Sequence, residues 1–253
     1  MKKYFIFMIM VFIYSSLSFG VIKVMTYNIR HGLGMDDIFD FQRIIDVIKA
    51  ENPDILMLQE VDQGRSRSLD LKQAEIIAEE LGMDYYFYPT EGKDNYGVAI
   101  FSKFRSIEKF GFELPQPTWM LATQRGAAAM VIEVNGEQML VISTHLGLGG
   151  LQEIQTEVLE ILNISEKYGL PTLIGGDFNI SYFELSYGVK EFLDKFELVN
   201  QELNKEIKTF QSDIPGSQID FIFFSRGDFK ILDAYTVNSL ASDHLPLVAV
   251  IEF

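Results

Sequence analysis

Apolar residues run almost unbroken over residues 21–27 and stop at Asn28, which reads as a first strand. Over residues 37–51 the apolar positions Ile38, Phe41, Ile44, Ile45 and Ile48 recur at helical spacing, with Asp36 or Asp37 placed to cap the helix. Pro53 separates that helix from residues 54–58, a short apolar run that fits a buried strand ending at Gln59 and Glu60. Helical spacing returns over residues 71–81, and Gly82 supplies a stop. Strand patterns follow at residues 85–88, 97–101, 127–134 and 139–144, the last two joined by the hairpin signal Asn135-Gly136. Ile154, Val158, Leu159, Ile161 and Leu162 predict a helix over residues 151–168. Residues 171–174 predict a strand running into Gly175-Gly176, and residues 219–224 and 246–251 predict two late strands. Mixed strands and helices in both halves predict an α/β protein in which two sheets pack together with helices outside.

The first twenty residues follow a different pattern. Lys2 and Lys3 precede an apolar run over residues 4–14, as long as a signal-peptide core and too short to span a bilayer. Small residues at Ser18 and Gly20 predict cleavage after Gly20, hence a signal peptide over residues 1–20 and a secreted or periplasmic protein. The absence of cysteine excludes disulfides and a cysteine-linked lipid, which favours a bacterial source for an exported chain. No linker or low-complexity tract interrupts residues 21–253, so they are expected to form a single domain. The chain carries a net charge of −15, or −17 once Lys2 and Lys3 are removed. Such a field repels polyanions and disfavours an electrostatic clamp for nucleic acid.

Each strand pattern delivers a polar group at one end. Asn28, Glu60 and His145 close strands, Asp177 and Asn179 follow Gly175-Gly176, Asp220 opens a strand, and Asp243 and His244 precede the last one. Taken singly, each fits a turn, a cap or a surface ion pair. Gathered on one face, groups that are costly to bury alone become tolerable around a cation.

The strings that carry these residues are TYNIRHG (26–32), LQEVD (58–62), NYGVAIFS (95–102), STHL (143–146), GGDFN (175–179), IDFIFFS (219–225) and SDHLPLVAVI (242–251). In order and spacing they resemble the endonuclease/exonuclease/phosphatase superfamily over nearly the whole exported chain, GGDFN and the terminal SDHLP being the specific elements. The resemblance implies a deoxyribonuclease-like four-layer α/β sandwich, two packed mixed β-sheets flanked by helices. It also implies cleavage of phosphate esters with a divalent cation, usually Mg2+, with Mn2+ or another divalent ion as alternatives.

Carried over residue by residue, the resemblance makes Glu60 the principal metal carboxylate, with Asn28 and Asp243 at or beside the metal. Asp177 becomes the group that activates or orients water, and Asn179 the amide that positions water and a phosphate oxygen. His244 becomes the histidine on the scissile phosphate, held by Asp220, and His145 a candidate acid toward the leaving oxygen. Tyr96 resembles a phenol near the phosphate. Arg125 resembles a phosphate-binding arginine, for which a guanidinium fork is suited, and Arg67 resembles an arginine of secreted bacterial members. The expected function is metal-assisted attack of water on a phosphodiester, with a small or lipid-derived substrate slightly favoured over DNA or RNA. A secreted nuclease of the same fold and a secreted binding protein that has lost catalysis are the alternatives, and no obligate protein partner is indicated. Residues 113–123, with Trp119 and Met120, are expected to form a loop at the rim of the site. Tyr182, Phe183 and Tyr187 follow the GGDFN turn, where they either pack or meet the substrate.

Overall fold

Strands and helices alternate at first, in the order β1 (Val21–Asn28), α1 (Phe41–Glu51), β2 (Ile55–Asp62), α2 (Gln73–Leu81), β3 (Asp84–Pro89) and β4 (Tyr96–Ser102). There follow β5 (Arg105–Glu113), β6 (Gly126–Val134), β7 (Glu137–His145), α3 (Leu151–Tyr168) and β8 (Thr172–Asp177). The remaining elements are α4 (Tyr182–Gly188), α5 (Lys190–Lys195), β9 (Phe196–Leu198), α6 (Val199–Glu202), β10 (Asp220–Ser225), β11 (Lys230–Thr236) and β12 (Leu247–Glu252). This computed structural model describes residues 20–90, 95–116 and 124–253; the expected leader peptide, and Trp119 and Met120 of the expected rim loop, lie outside the described residues. Among the described residues no helix is long and apolar enough to cross a membrane.

The strands form two six-stranded sheets, ordered β11-β12-β1-β2-β4-β3 and β5-β6-β7-β8-β10-β9. Each is mixed, with one parallel pair, β1 with β2 and β7 with β8. Because side chains alternate across a strand, each central strand feeds two cores. Ile22 and Val24 of β1 and Ile55 and Met57 of β2 join Ala128, Met130 and Ile132 of β6 between the sheets. Met25, Tyr27, Leu56 and Leu58 point the other way, onto Ile44 and Ile48 of α1. On the far side, Ala127, Ala129 and Val131 of β6 pack with Ile154, Val158 and Ile161 of α3. The result is the expected four-layer α/β sandwich.

The structure departs from the sequence pattern in several places. Helix α1 begins at Phe41 rather than Asp37, and Asp40, not Asp36 or Asp37, caps it by accepting from the Gln42 amide at 3.1 Å. Asp36 is held outside the helix by Arg43, whose Nη1 donates to Oδ2 at 3.0 Å. Helix α2 begins at Gln73 rather than at residue 71. Glu113, expected in a loop, is the last residue of β5. Tyr182, Phe183 and Tyr187 lie on α4, which opens with a reciprocal capping box between Ser181 and Glu184. The Asn135-Gly136 hairpin forms as expected, both residues having positive φ.

Two glycines let the parts that carry the site approach closely. A Cβ on Gly176 would lie 2.0 Å from the Thr144 carbonyl oxygen on β7, and one on Gly175 would lie 2.2 Å from Met57 Cε in the facing sheet.

Candidate active site

Strand register assembles one wall of the site. His145 of β7 is paired with Asp177 of β8, and Asp177 with Asp220 of β10, so three adjacent strands present an imidazole and two carboxylates in one row. The facing sheet contributes Asn28 at the end of β1, paired with Gln59 of β2. Directly afterwards β2 bulges between Leu58 and Val61, and Glu60 takes a positive φ of 57°. A bulge inserts an extra residue and re-aims side chains, which accounts for a glutamate leaving an otherwise buried strand toward the pocket. The segment before β12 closes the site: Ser242 Oγ donates to the Asn28 carbonyl at 2.8 Å and accepts from the His244 amide at 3.3 Å.

These ends surround a pocket of about 520 Å³ whose lining includes Glu60, Arg67, Tyr96, Arg125, His145, Asp177, Asn179, Asp243 and His244. Asn28 and Asp220 stand behind that lining and hydrogen-bond to it. Asn28 Nδ2 donates to Glu60 Oε1 at 3.2 Å and to Asp177 Oδ2 at 3.0 Å, tying the two sheets together through one amide. Every site residue expected from the sequence is therefore gathered in one place.

On the Glu60 side the donors are oxygens. Burial raises the Glu60 carboxyl above its ordinary range, the Asn28 hydrogen bond opposes that, and Asp243 raises it again. Arg30 Nε lies 3.6 Å from Asp243 Oδ2, and His31 Nδ1 lies 4.0 Å from Glu60 Oε2. A desolvated carboxylate facing a second carboxylate is relieved by a proton or by a cation, and carboxylate and amide oxygens suit a hard divalent ion. Glu60 and Asp243 thus fit such an ion chemically; Asn28 turns its Oδ1 to the Arg30 backbone amide at 3.1 Å, so its oxygen would join them only with the side-chain amide turned over.

On the opposite side the same groups form a proton network. His244 Nδ1 lies 2.8 Å from Asp220 Oδ2, and its Nε2 lies 3.6 Å from Asp177 Oδ2. Burial disfavours the charged imidazole, but Asp220, by its field and its hydrogen bond, together with Asp177 and Asp243, overcomes this and lifts His244 to about 10. Asp177 is itself raised, by burial and by Asp220, against the opposing effect of His244. His145 Nε2 lies 3.5 Å from Asp177 Oδ2, yet burial, then Arg125 and His244, hold it well below its ordinary value. The two histidines therefore differ in charge near neutrality, His244 cationic and His145 neutral. Ligand atoms of Asp177, Asp220 and His244 lie within 4.8 Å of one another, close enough to hold a metal. Both nitrogens of His244 are engaged by carboxylates, so a proton already does there what a cation would do.

The arginines divide in the same way. Arg125 is 8% exposed, and among the described residues no hydrogen bond or ion pair engages its guanidinium. Arg67 is committed: its Nε and Nη2 each donate to the buried Asp62 carboxylate at 2.8 Å, so its fork is filled by the protein. Its guanidinium carbon lies 5.3 Å from the centre of the Tyr96 ring, and that of Arg65 lies 5.4 Å away. Burial and then Glu60 raise the Tyr96 phenol well above its ordinary value, keeping it protonated.

Pattern reading missed Phe210 and Leu148, which also line the pocket. Phe210 belongs to no named strand or helix and packs 4.9 Å from the His244 ring. The signal for Leu148 was its place between glycines three residues after His145, since it is an apolar side chain left 76% exposed.

The endonuclease/exonuclease/phosphatase family model matches residues 25–244, and the chain belongs to that family. No curated protein matches its sequence. Among solved structures, an endonuclease/exonuclease/phosphatase from Bacteroides vulgatus is similar at 20% identity and a TM-score of 0.77, over 92% of this chain and 99% of that one. The mannosyl-6-phosphatase of Bacteroides thetaiotaomicron is similar at 22% identity and a TM-score of 0.74, over 92% and 100%. The human Nocturnin catalytic domain, solved with a bound sulfate anion, is similar at 23% identity and a TM-score of 0.71, over 91% and 93%. At these identities the likeness is one of fold.

Proposed function

We propose that the protein is a divalent-cation-dependent hydrolase of small phosphodiesters. The observation that carries this reading is one unspent charge: the buried guanidinium of Arg125, without an ion pair among the described residues, lines the same pocket as His244, whose own charge is held by Asp220 and Asp177. A phosphoryl group supplies the missing negative charge and fits a guanidinium fork. The bound sulfate of the Nocturnin domain is in keeping with a tetrahedral anion site in this fold.

Glu60 and Asp243 would hold the cation, which when bound withdraws charge from a phosphoryl oxygen. The remaining work falls to the protein. Asp177, raised toward neutrality by burial, accepts a proton from the attacking water. The Asn179 backbone N–H donates to Asp177 Oδ1 at 2.9 Å and keeps that carboxylate oriented. His244 stabilises the added negative charge and holds a proton for the leaving oxygen, while Asp220 fixes its ring. His145 was expected to be an acid; held neutral, it serves here as a hydrogen-bonding group.

Space beyond the phosphate favours a diester. A neighbouring cavity of about 530 Å³ shares Arg65 and Arg67 with the main pocket and is otherwise lined by Gly64, Ser66, Asp70 and Asn95. Polar lining of that kind suits a hydroxylated alcohol better than an acyl chain, and so a small soluble ester better than a lipid.

The test is release of p-nitrophenol from bis-p-nitrophenyl phosphate and from p-nitrophenyl phosphate, with Mg2+ and with EDTA. The expected result is faster release from the diester, abolished by EDTA. Release that persists in EDTA removes the cation from the proposal, preference for the monoester removes the diester, and no release from either removes the hydrolase.

A further inference from the structure

The loop over residues 146–150 leaves β7 directly after His145 and is held from below by two carboxylates of α3. Glu153 and Glu157 are both fully enclosed, at 0% exposure. Glu157 Oε2 accepts from the Gly147 amide at 2.9 Å, and Glu153 Oε2 accepts from the Gly149 amide at 2.6 Å. The other oxygen of each carboxyl, Oε1, is buried without a hydrogen-bond partner. The loop is pressed onto the pair, for a Cβ on Gly147 would lie 2.2 Å from the Glu153 carboxyl.

What the clamp holds matters for the pocket. Between His145 and Gly147, the Leu146 amide donates to the Asp177 carbonyl at 2.9 Å, and the Leu146 carbonyl accepts from Asn179 Nδ2 at 2.9 Å. Asn179 has a positive φ of 53°, so its placement after β8 depends on such tethers. With one Nδ2 hydrogen committed to Leu146, the second and Oδ1 are left to the pocket that Asn179 lines.

Two carboxyls four residues apart on one helix lie side by side, and neither has an ion-paired cation among the described residues. The charged groups that act on Glu157 are Glu153 from its own helix and Arg125 from the segment before β6. Burial, reinforced by Glu153, outweighs the Gly147 hydrogen bond and Arg125 and lifts the Glu157 carboxyl to about 8. At neutral pH Glu157 holds its proton.

We propose that Glu153 and Glu157 are positioning residues of the phosphate site, a buried carboxyl pair that clamps the Gly147 and Gly149 amides so that Leu146 holds Asn179 beside Asp177. The effect on turnover rests on the phosphoesterase reading; the clamp itself is a property of the folded chain and is measurable without a substrate.

Hydrogen exchange of the loop amides, corrected for intrinsic rates, separates the two. In the wild-type protein protection should be high at pH 7 and fall about tenfold by pH 9, as the second carboxyl ionises and the pair repels. Glu157→Gln keeps an acceptor without the charge, and should hold its protection across that range and the wild-type kcat at pH 7. Glu157→Leu removes the acceptor; protection should be lost at pH 7 and kcat should fall about tenfold or more with little change in KM, as for supports of a reacting group. The clamp is overturned if Glu157→Leu keeps both protection and kcat, or if Glu157→Gln loses protection above pH 8 as the wild type does. Where Glu157→Leu does not fold, the comparison of wild type with Glu157→Gln at pH 9 decides. A cation between the carboxyls, shown by EDTA deprotecting the loop at pH 7, overturns the proton on Glu157. Protected amides in a protein that hydrolyses no phosphoester leave the clamp standing and remove the phosphoesterase reading.

Discussion

His244 carries two signals, one legible in sequence and one not. A histidine between Asp243 and an apolar strand marks a strand end, but its charge depends on Asp220, 24 residues away, and on Asp177, which only strand pairing brings near. The same pairing leaves His145 neutral, a difference invisible in two isolated histidines. Replacing the cationic partner should be costly: His244→Ala is expected to lower kcat about a hundredfold or more, the scale for one preorganised group stabilising transition-state charge, measured in the p-nitrophenyl assay. Arg125 and Arg67 make the converse point. From sequence Arg125 resembles a phosphate-binding arginine on a strand and Arg67, a loop arginine like one of secreted bacterial members, is a second phosphate-binding candidate, yet a buried aspartate five residues upstream, Asp62, occupies the fork of Arg67. Arg125→Lys keeps the charge and loses the fork, and should raise KM about tenfold, corresponding to ~1.4 kcal/mol of binding. Arg67→Lys should act through Asp62 instead, lowering the melting temperature more than it changes KM.

Among the strands, the buried central ones were legible and the exposed β5 and β11 were not. The strands that carry Asn28, Glu60, His145, Asp177 and Asp220 are central and nearly continuously apolar, so their ends could be located to within a residue or two. Strand β5 (R-S-I-E-K-F-G-F-E) lies at a sheet edge and is largely exposed or half-buried, so its polar positions hide the strand pattern. Strand β11 is hidden in the same way, and α4, α5 and α6 are too short to show a helical period. Gly175-Gly176 was legible as a motif but not as a packing requirement. Gly176→Ala places a methyl against a backbone carbonyl of the neighbouring strand, which cannot move without parting β7 from β8. It should destabilise the protein by about 1–3 kcal/mol, the usual cost of overpacking, and lower turnover by displacing Asp177. Gly136→Ala, in an open hairpin turn with positive φ, should cost about 1 kcal/mol and leave turnover unchanged. Thermal melting and the p-nitrophenyl assay on both variants separate site geometry from backbone strain.

Over the whole molecule the charge distribution opposes its own pocket. The chain has 36 acidic residues against 21 basic ones, yet its pocket sets Arg65, Arg67, Arg125 and cationic His244 against the carboxyls of Glu60, Asp177 and Asp243. Membership of the family and the fold do not choose between a nucleic acid and a small ester, because the same scaffold serves many substrates. The outer field does bear on that choice. A substrate carrying one phosphate is met mainly by the pocket, whereas a polymer must also lie along the acidic surface around it. Screening acts over about 30 Å at 0.01 M salt and about 8 Å at 0.15 M, so added NaCl weakens the outer repulsion first. At fixed Mg2+, hydrolysis of bis-p-nitrophenyl phosphate should therefore change little across this range, and any cleavage of plasmid DNA should rise. An enzyme that tracks nucleic acid on a basic surface shows the opposite slope, since salt competes with its phosphate contacts. DNA cleavage falling steeply with NaCl would mean that a cationic track outweighs the net charge of −15, and would move the substrate from a small diester to a polynucleotide.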